Sequence, residues 1–411
     1  MRIVTFSSLY PNAAEPSLGV FVENRLRRLV QDTDVTARVV APVPWFPVAS
    51  PLFGRYGRMA AAPGREERHG LDVQHPRFVV LPRVGMGLTP TFLAHAGLKA
   101  VRRLQAEGYV PDLLDSHYLY PDGVAACRMA SRLNLPFVMT ARGSDVTTIA
   151  RHYPRARARI LAAAQAAHRI ITVSRALANE LMDMGVAADR ISVLRNGVDI
   201  GYFQPRDRLA VRRRLALKGQ VLLFAGWLIP RKRPDLMLDL AEALPDVSVL
   251  LAGDGPLRSG LERETARRGL QSRVRFLGQQ RPEAMPELYS AADLLILPSE
   301  REGWANVLLE AMACGTPVVT RDVGGAPDLM KDPRAGRMVE GPEGAPRKAL
   351  VARLTAAVRD LLSDGAIDRK AVRTYAAGFG WSRISRAQAD IFRDAINRHG
   401  QECGSGVETV K

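Results

Sequence analysis

The chain has 411 residues, too many for one ordinary core and enough for two. Its composition, 47% hydrophobic and 24% charged, is that of a soluble globular protein, and no apolar run approaches a membrane-spanning length. A net charge of +16 admits nucleic acid, an anionic membrane face or anionic substrates as partners, but no nucleic-acid motif and no basic stripe with interleaved aromatics is present, and an Arg-rich surface is the plain alternative.

The first predicted element is a strand, Ile3–Phe6, with no signal-peptide apolar region, so a cytoplasmic location is expected. Cys127, Cys314 and Cys403 have neither metal-ligand spacing nor a disulfide framework. Further strands are predicted at Arg38–Ala41, Phe78–Leu81, Leu113–Ser116, Phe137–Thr140, Ile170–Val173 and Ser192–Leu194. Amphipathic helices at Val20–Val30, Phe92–Ala106 and Val124–Leu133 lie between them. That alternation predicts a doubly wound α/β domain over residues 1–200. Within it, Phe53–Gly70 reads as a mobile surface loop. Asp32-Thr33-Asp34 ends a helix far from any strand C-terminus, so it reads as a surface turn rather than a metal motif.

Two loops after strands should face a ligand crevice. His117 leads one, and Arg142-Gly143-Ser144-Asp145 forms the other. A lone His is more often a structural hydrogen-bonder, and substrate contact is the alternative. Arg142 stays charged and cannot act as a base, so it suits an anionic group.

Residues 201–218, polar and Arg-rich, read as a linker. The same grammar then repeats over 219–381, with strands at Val221–Ala225, Val247–Ala252, Val274–Leu277, Leu294–Leu297 and Pro317–Thr320. Helices are predicted at Asp235–Ala243, Leu257–Arg268, Ala284–Ala291 and Asn306–Ala313. Two Rossmann-like domains facing a central cleft follow. A last helix over 382–397 precedes a frayed tail.

After the first strand of the second domain, Gly226 with Arg231 and Lys232 suits a diphosphate clamp or is simply a basic surface loop. Gly253-Asp254-Gly255 lacks the third glycine of a dinucleotide fingerprint, which disfavours an oxidoreductase. It either shapes a pocket or makes a structural turn. The most informative stretch is Glu302-Gly303-Trp304-Ala305-Asn306-Val307, running on to Glu310 and Gly315-Thr316-Pro317. Asn306 is placed to cap a helix whose free amides and dipole suit a phosphate. Glu310 lies roughly 6 Å further along the axis and suits two sugar hydroxyls; Glu302 suits a second sugar. A solvated Glu and a helix-face Glu are the plain alternative.

The wording from Glu302 to Gly325 resembles the donor-binding segment of glycosyltransferase family 4, whose members carry two Glu separated by seven residues. The resemblance runs from Tyr10 to about Asp328. It implies the GT-B fold and a retaining, metal-independent transfer of a hexose from a nucleoside-diphosphate sugar to an acceptor hydroxyl, with no cofactor. Lys232 matches the family's phosphate-binding Lys. Trp227 stands where many members have an Arg, leaving Arg231 or Arg142 as substitutes. Glu302 and Lys232 are implied at the reacting centre, and Gly19, His117, Arg142 and Asp145 on the acceptor side. The first-domain wording points to a glycan or lipid-linked acceptor of cell-surface polysaccharide synthesis. A nucleotide-sugar epimerase of the same fold and a non-catalytic nucleotide-sugar-binding protein are the other readings. Arg151–Arg159, the helix Phe92–Ala106 and the basic loop from Phe53 to Arg68 add an expected peripheral contact with an anionic membrane.

Overall fold

The computed structural model describes residues 1–50, 52, 54–80, 85–363 and 367–405. It divides into two compact units, Met1–Arg195 with the segment from Trp381 onward, and Asn196–Gly380.

In the first unit the strands are β1 (Arg2–Phe6), β2 (Thr36–Val40), β3 (Val43–Pro44), β4 (Arg65–Arg68), β5 (Leu71–Gln74), β6 (Arg77–Phe78), β7 (Leu113–His117), β8 (Phe137–Ala141), β9 (Arg169–Thr172) and β10 (Ile191–Val193). Eight of them form one sheet, ordered β10-β9-β8-β7-β1-β2-β5-β4, and β3 pairs with β6 separately. All pairs in the large sheet are parallel except β4 with β5. Every residue of β7 and β8 is buried, as a parallel sheet covered on both faces requires. The polar residues at the strand ends, Thr5, Asp115, Ser116, His117, Thr140 and Thr172, are buried with them.

The helix Val20–Asp32 turns Val22, Leu26 and Leu29 into this core, where they meet Phe392 and Ala389 of the last helix, Trp381–Ser405. Each such side chain contributes about 1.5–3 kcal/mol of transfer free energy. Polar clips fix the register of the two helices. Arg25 Nε donates to Gln388 Oε1 at 2.7 Å, and Ser385 Oγ donates to Asp32 Oδ2 at 3.0 Å. Arg393 pairs with Asp34 at 2.5 Å. The two aspartates of the Asp32-Thr33-Asp34 turn thus anchor the last helix.

Four expectations change. Phe53 lies outside the described residues, but the rest of the supposed loop holds a helix, Gly54–Ala60, and β4. Its arginines are held by acidic partners that lie outside the stretch: Arg65 pairs with Asp72 and Glu107, and Arg68 with Glu23. The strand expected at Phe78–Leu81 is short, ending at Phe78, and Leu81 is outside the described residues. The supposed linker over 201–218 belongs to the second unit. Asp207 caps the helix Arg208–Arg214 by accepting from Ala210 N at 3.0 Å, and Arg208 and Arg212 both pair with Asp293. The frayed tail is helical as far as Ser405.

The second unit has β11 (Gln220–Ala225), β12 (Val247–Ala252), β13 (Val274–Gly278), β14 (Leu294–Leu297), β15 (Val318–Arg321) and β16 (Gly336–Val339). All are parallel, in the order β13-β12-β11-β14-β15-β16. The order reverses between β11 and β14. Ligands of such sheets bind at that switch point, outside the carboxyl ends of the strands.

Candidate active site

Four loops meet at the switch point of the second unit. β14 is wholly buried and ends at Leu297, before Pro298; Ser299 is buried, and Glu300 N donates to the Arg231 carbonyl at 2.8 Å. This stitches the loop after β14 to the loop after β11 and brings two predicted residues together. Lys232 Nζ lies 2.6 Å from Glu302 Oε1, with the two side chains only 15% and 10% exposed. Burial pushes the Glu302 carboxyl up, but Lys232, then Arg231 and the Ser299 hydroxyl, outweigh it and leave the pKa below the ordinary value.

The helix Asn306–Ala313 begins just beyond. Asn306 does not cap it, contrary to expectation. Ala305 occupies the cap position without a side-chain hydrogen bond, and Asn306 Oδ1 accepts from Asn196 Nδ2 at 3.2 Å. The first amides of the helix therefore have no capping side chain and are suited to an anion. Trp304 is buried behind the loop, against Gly325. Gly324, at φ 55°, leaves no room for a side chain, since a Cβ there would sit 1.7 Å from the Glu302 carbonyl oxygen.

Glu310 lies one turn into the helix and accepts from the Tyr289 hydroxyl at 2.7 Å. Burial raises its pKa, with the Tyr289 hydrogen bond pulling the other way. It lines a pocket of ≈ 430 Å³ together with Gly226, Trp227, Gly253, Gly255, Gln280 and Val307. Gly253 is needed for packing. At φ 153° its Cβ position falls 1.9 Å from the Gly226 carbonyl oxygen. So the Gly253–Gly255 turn is both structural and pocket-forming, and the two readings of it merge.

Trp227 is 63% exposed at this pocket. Arg231 is a second cation beside the Lys232–Glu302 pair, its Nη1 3.9 Å from Glu302 Oε2 and 3.2 Å from the Arg301 carbonyl. Gly303 sits half-buried between Glu302 and Trp304.

In the first unit, the four residues expected on the acceptor side behave differently. His117 is 1% exposed. Arg142 donates to its Nδ1 at 2.6 Å, which leaves Nε2–H to donate to Asp115 Oδ2 at 3.0 Å. Burial lowers its pKa to about 4, so the ring is neutral. Asp145 is fully buried and accepts from the amides of Gly143, Leu119 and Arg142, at 2.7, 2.8 and 3.1 Å. Neither side chain is presented to a ligand: the strand-end position that suggested it lies under the loops. Gly19 is buried at the start of its helix, against the Leu9 carbonyl. Arg142 remains partly exposed, 5.3 Å above the Phe21 ring, and burial lowers its pKa to about 9.

The basic surface is also smaller than expected. Arg55 pairs with Glu15, and Arg65 and Arg68 have the partners given above. On the helix Thr89–Ala106, Leu93, Ala96 and Leu104 are buried in the core rather than presented outward. Among the described residues no helix is long and apolar enough to cross a membrane. Tyr289, Gln279 and Met285 line the pocket without any motif to signal them. The paired glycines 324 and 325, directly after a strand, were a readable signal.

Residues 206–378 match the family described as Glycosyl transferases group 1, and residues 56–202 the one described as Glycosyltransferase Family 4. A D-inositol 3-phosphate glycosyltransferase of Salinispora tropica is 33% identical over 74% of this chain and 68% of its own length. Among solved structures, Anabaena HepE in complex with UDP aligns with a TM-score of 0.72 at 22% identity, covering 95% of this chain and 99% of that one. Sucrose-phosphate synthase from Thermosynechococcus elongatus aligns at 0.77 and 19% identity, over 97% and 100% of the two chains.

Proposed function

Because the chain belongs to glycosyltransferase family 4 and has the GT-B fold, we propose that it moves a hexose, with retention and without a metal, from a nucleoside-diphosphate sugar to a hydroxyl of a lipid-linked or polysaccharide glycan. One observation carries this reading. The Lys232–Glu302 pair stands just before an uncapped helix start, and Val307 and Glu310 of that helix line a pocket, an arrangement that suits diphosphate, sugar and ribose. The arriving diphosphate takes Lys232 from Glu302, and the released carboxylate accepts from the sugar hydroxyls. Lys232 and the helix amides then stabilise the charge that grows on the leaving group. Arg231 supplies the second phosphate contact that Trp227 cannot make. A hydrolysis screen over nucleotide sugars, beginning with UDP-glucose, tests the proposal. Turnover of at least one donor is expected, and binding without any turnover would leave a nucleotide-sugar-binding protein instead.

A second reading of the acceptor, a small phosphorylated polyol, is favoured by the partly exposed Arg142 and by the activity named for the Salinispora relative. Acceptor competition with inositol phosphate against a lipid-linked glycan separates the two.

Glu310→Ala should weaken donor and nucleoside-diphosphate binding by about 10- to 100-fold, the worth of a charged group's hydrogen bonds to hydroxyls at about 1.5–3 kcal/mol. Turnover at saturating donor should change little, because a ribose contact is made in ground and transition states alike. Since the folded carboxyl titrates above its ordinary 4.5, the wild-type KM for donor should begin to rise above that pH on acidification. Calorimetry with the nucleoside diphosphate checks the first point; unchanged affinity in the variant removes Glu310 from the ribose.

Metal independence predicts that EDTA leaves initial rates within about twofold, since Lys232 and helix amides meet the phosphates. Loss of activity restored by Mg²⁺ or Mn²⁺ would overturn it.

The proposal includes peripheral docking of the first unit on an anionic membrane. Arg58, Arg102, Arg103, Arg151, Arg155 and Arg157 are exposed, as are Trp45, Leu52, Tyr56 and Leu88. Each basic residue near such a surface contributes about 1 kcal/mol. Co-sedimentation with anionic but not neutral vesicles, lost at high salt, is the expected outcome. Equal recovery in the supernatant with both leaves a soluble acceptor.

A further inference from the structure

We propose that His168, His399 and Glu402 form a binding site for a Zn²⁺-class ion that ties the end of the last helix to the first unit's sheet. One ligand atom from each of the three lies within 4.8 Å of the others. The two rings meet edge-on with centroids 5.2 Å apart, and His168 Nε2 lies 3.7 Å from Glu402 Oε2.

The elements that present them are well fixed. His168 enters β9, and its amide donates to the Phe137 carbonyl at 3.1 Å, so its backbone is held by the sheet. His399 and Glu402 are three apart on the last helix and therefore share one face.

The chemistry of the donors suits a borderline metal. His168 is only 11% exposed, and both its ring nitrogens are buried without a hydrogen-bond partner among the described residues. Unsatisfied buried nitrogens of this kind call for a ligand. His399 Nε2 lies 3.3 Å from the Asn134 carbonyl. A proton donated there fixes the tautomer with Nδ1 as the lone-pair nitrogen, the outer-sphere arrangement that metal-bound imidazoles use. Two imidazoles and a carboxylate are a Zn²⁺ ligand set, not one for Mg²⁺ or Ca²⁺.

The site must close slightly. Zinc bonds of about 2.0–2.2 Å put tetrahedral ligand atoms about 3.3–3.6 Å apart, so the three ligand atoms, now within 4.8 Å of one another, must draw together on binding. A cavity of ≈ 290 Å³ beside His168 leaves room for a water as a further ligand. The nearby cations are engaged elsewhere, Arg190 with the Ala167 carbonyl at 2.9 Å and Arg398 with Asp394 at 3.1 Å.

Isothermal titration of the EDTA-stripped full chain with Zn²⁺ tests this. Saturable binding of one ion per chain is expected, unaffected by excess Mg²⁺, with a rise in Tm. His399→Ala and Glu402→Ala, both outside the core, should each weaken binding by about tenfold or more and remove the rise in Tm. Absence of saturable binding overturns the proposal. So does unchanged affinity in both variants, which would assign the ion to another histidine such as His69 or His152.

Discussion

Replacing Lys232 by alanine should cut turnover at saturating donor by about 100-fold or more, the usual cost of one preorganised charge at the developing anion. Glu302→Ala should lose a similar factor. The reason for treating them together is their contact of 2.6 Å in a nearly water-free setting. On the proposed reading each holds the other until donor binds. Removing Lys232, the strongest of the groups that offset burial, leaves the carboxylate with Arg231, 3.9 Å away, and the Ser299 hydroxyl, so Glu302 will titrate higher in the variant. The pH dependence follows with a definite sign. In the wild type the folded Glu302 pKa is below its ordinary 4.5, so the pair contributes stability above that pH. That contribution disappears as pH falls through the folded value. Urea melts should therefore show the wild type losing its advantage over Lys232→Ala on acidification below about 4.5. Steady-state rates with and without saturating donor check the kinetic part. Near-normal turnover in either variant would remove that residue from the reacting centre.

The second unit is far more legible in sequence than the first. Its central strands carry apolar runs, such as Val221–Ala225 and Leu294–Leu297, that a parallel sheet buries on both faces, and its loops carry glycines and charges at strand ends. Lys232 and Glu302 sit in loops after such ends and meet there, and Glu310 follows one turn into the next helix, where it lines the neighbouring pocket. Local pattern fails where partners are remote. Arg208 and Arg212 read as linker residues because Asp293 is far along the chain. β4, with its run Arg65-Glu66-Glu67-Arg68, has no apolar face at all and is held by pairing across an edge. His117 and Asp145 occupy strand-end positions that ordinarily face ligands, yet their hydrogen bonds are all satisfied inside. Asn306 looks like a helix cap, but Asn196 takes its side-chain oxygen.

Gly324→Ala should also cost turnover about 100-fold, although residue 324 carries no functional group, because displacing a reacting group by about an ångström is enough for such a loss. The added Cβ falls 1.7 Å from the Glu302 carbonyl oxygen, closer than any non-bonded contact. Something must move, and the loop bearing Glu302 is the lighter partner: Gly324 is held between β15 and the short helix Ala326–Leu329. Glu302 would then leave its position beside Lys232. The stability cost should be about 2–4 kcal/mol, from left-handed backbone strain and overpacking together. Gly344→Ala separates the two contributions. It has φ 80° but nothing within 4 Å of its Cβ position, so it carries the strain without the clash. That control should lose about 1–2 kcal/mol and keep its turnover. If Gly324→Ala retained turnover within about threefold of wild type while its Tm fell, the loop would be free to yield without moving Glu302, and the tight packing of residues 302–304 against 324–325 would not be what positions the carboxylate.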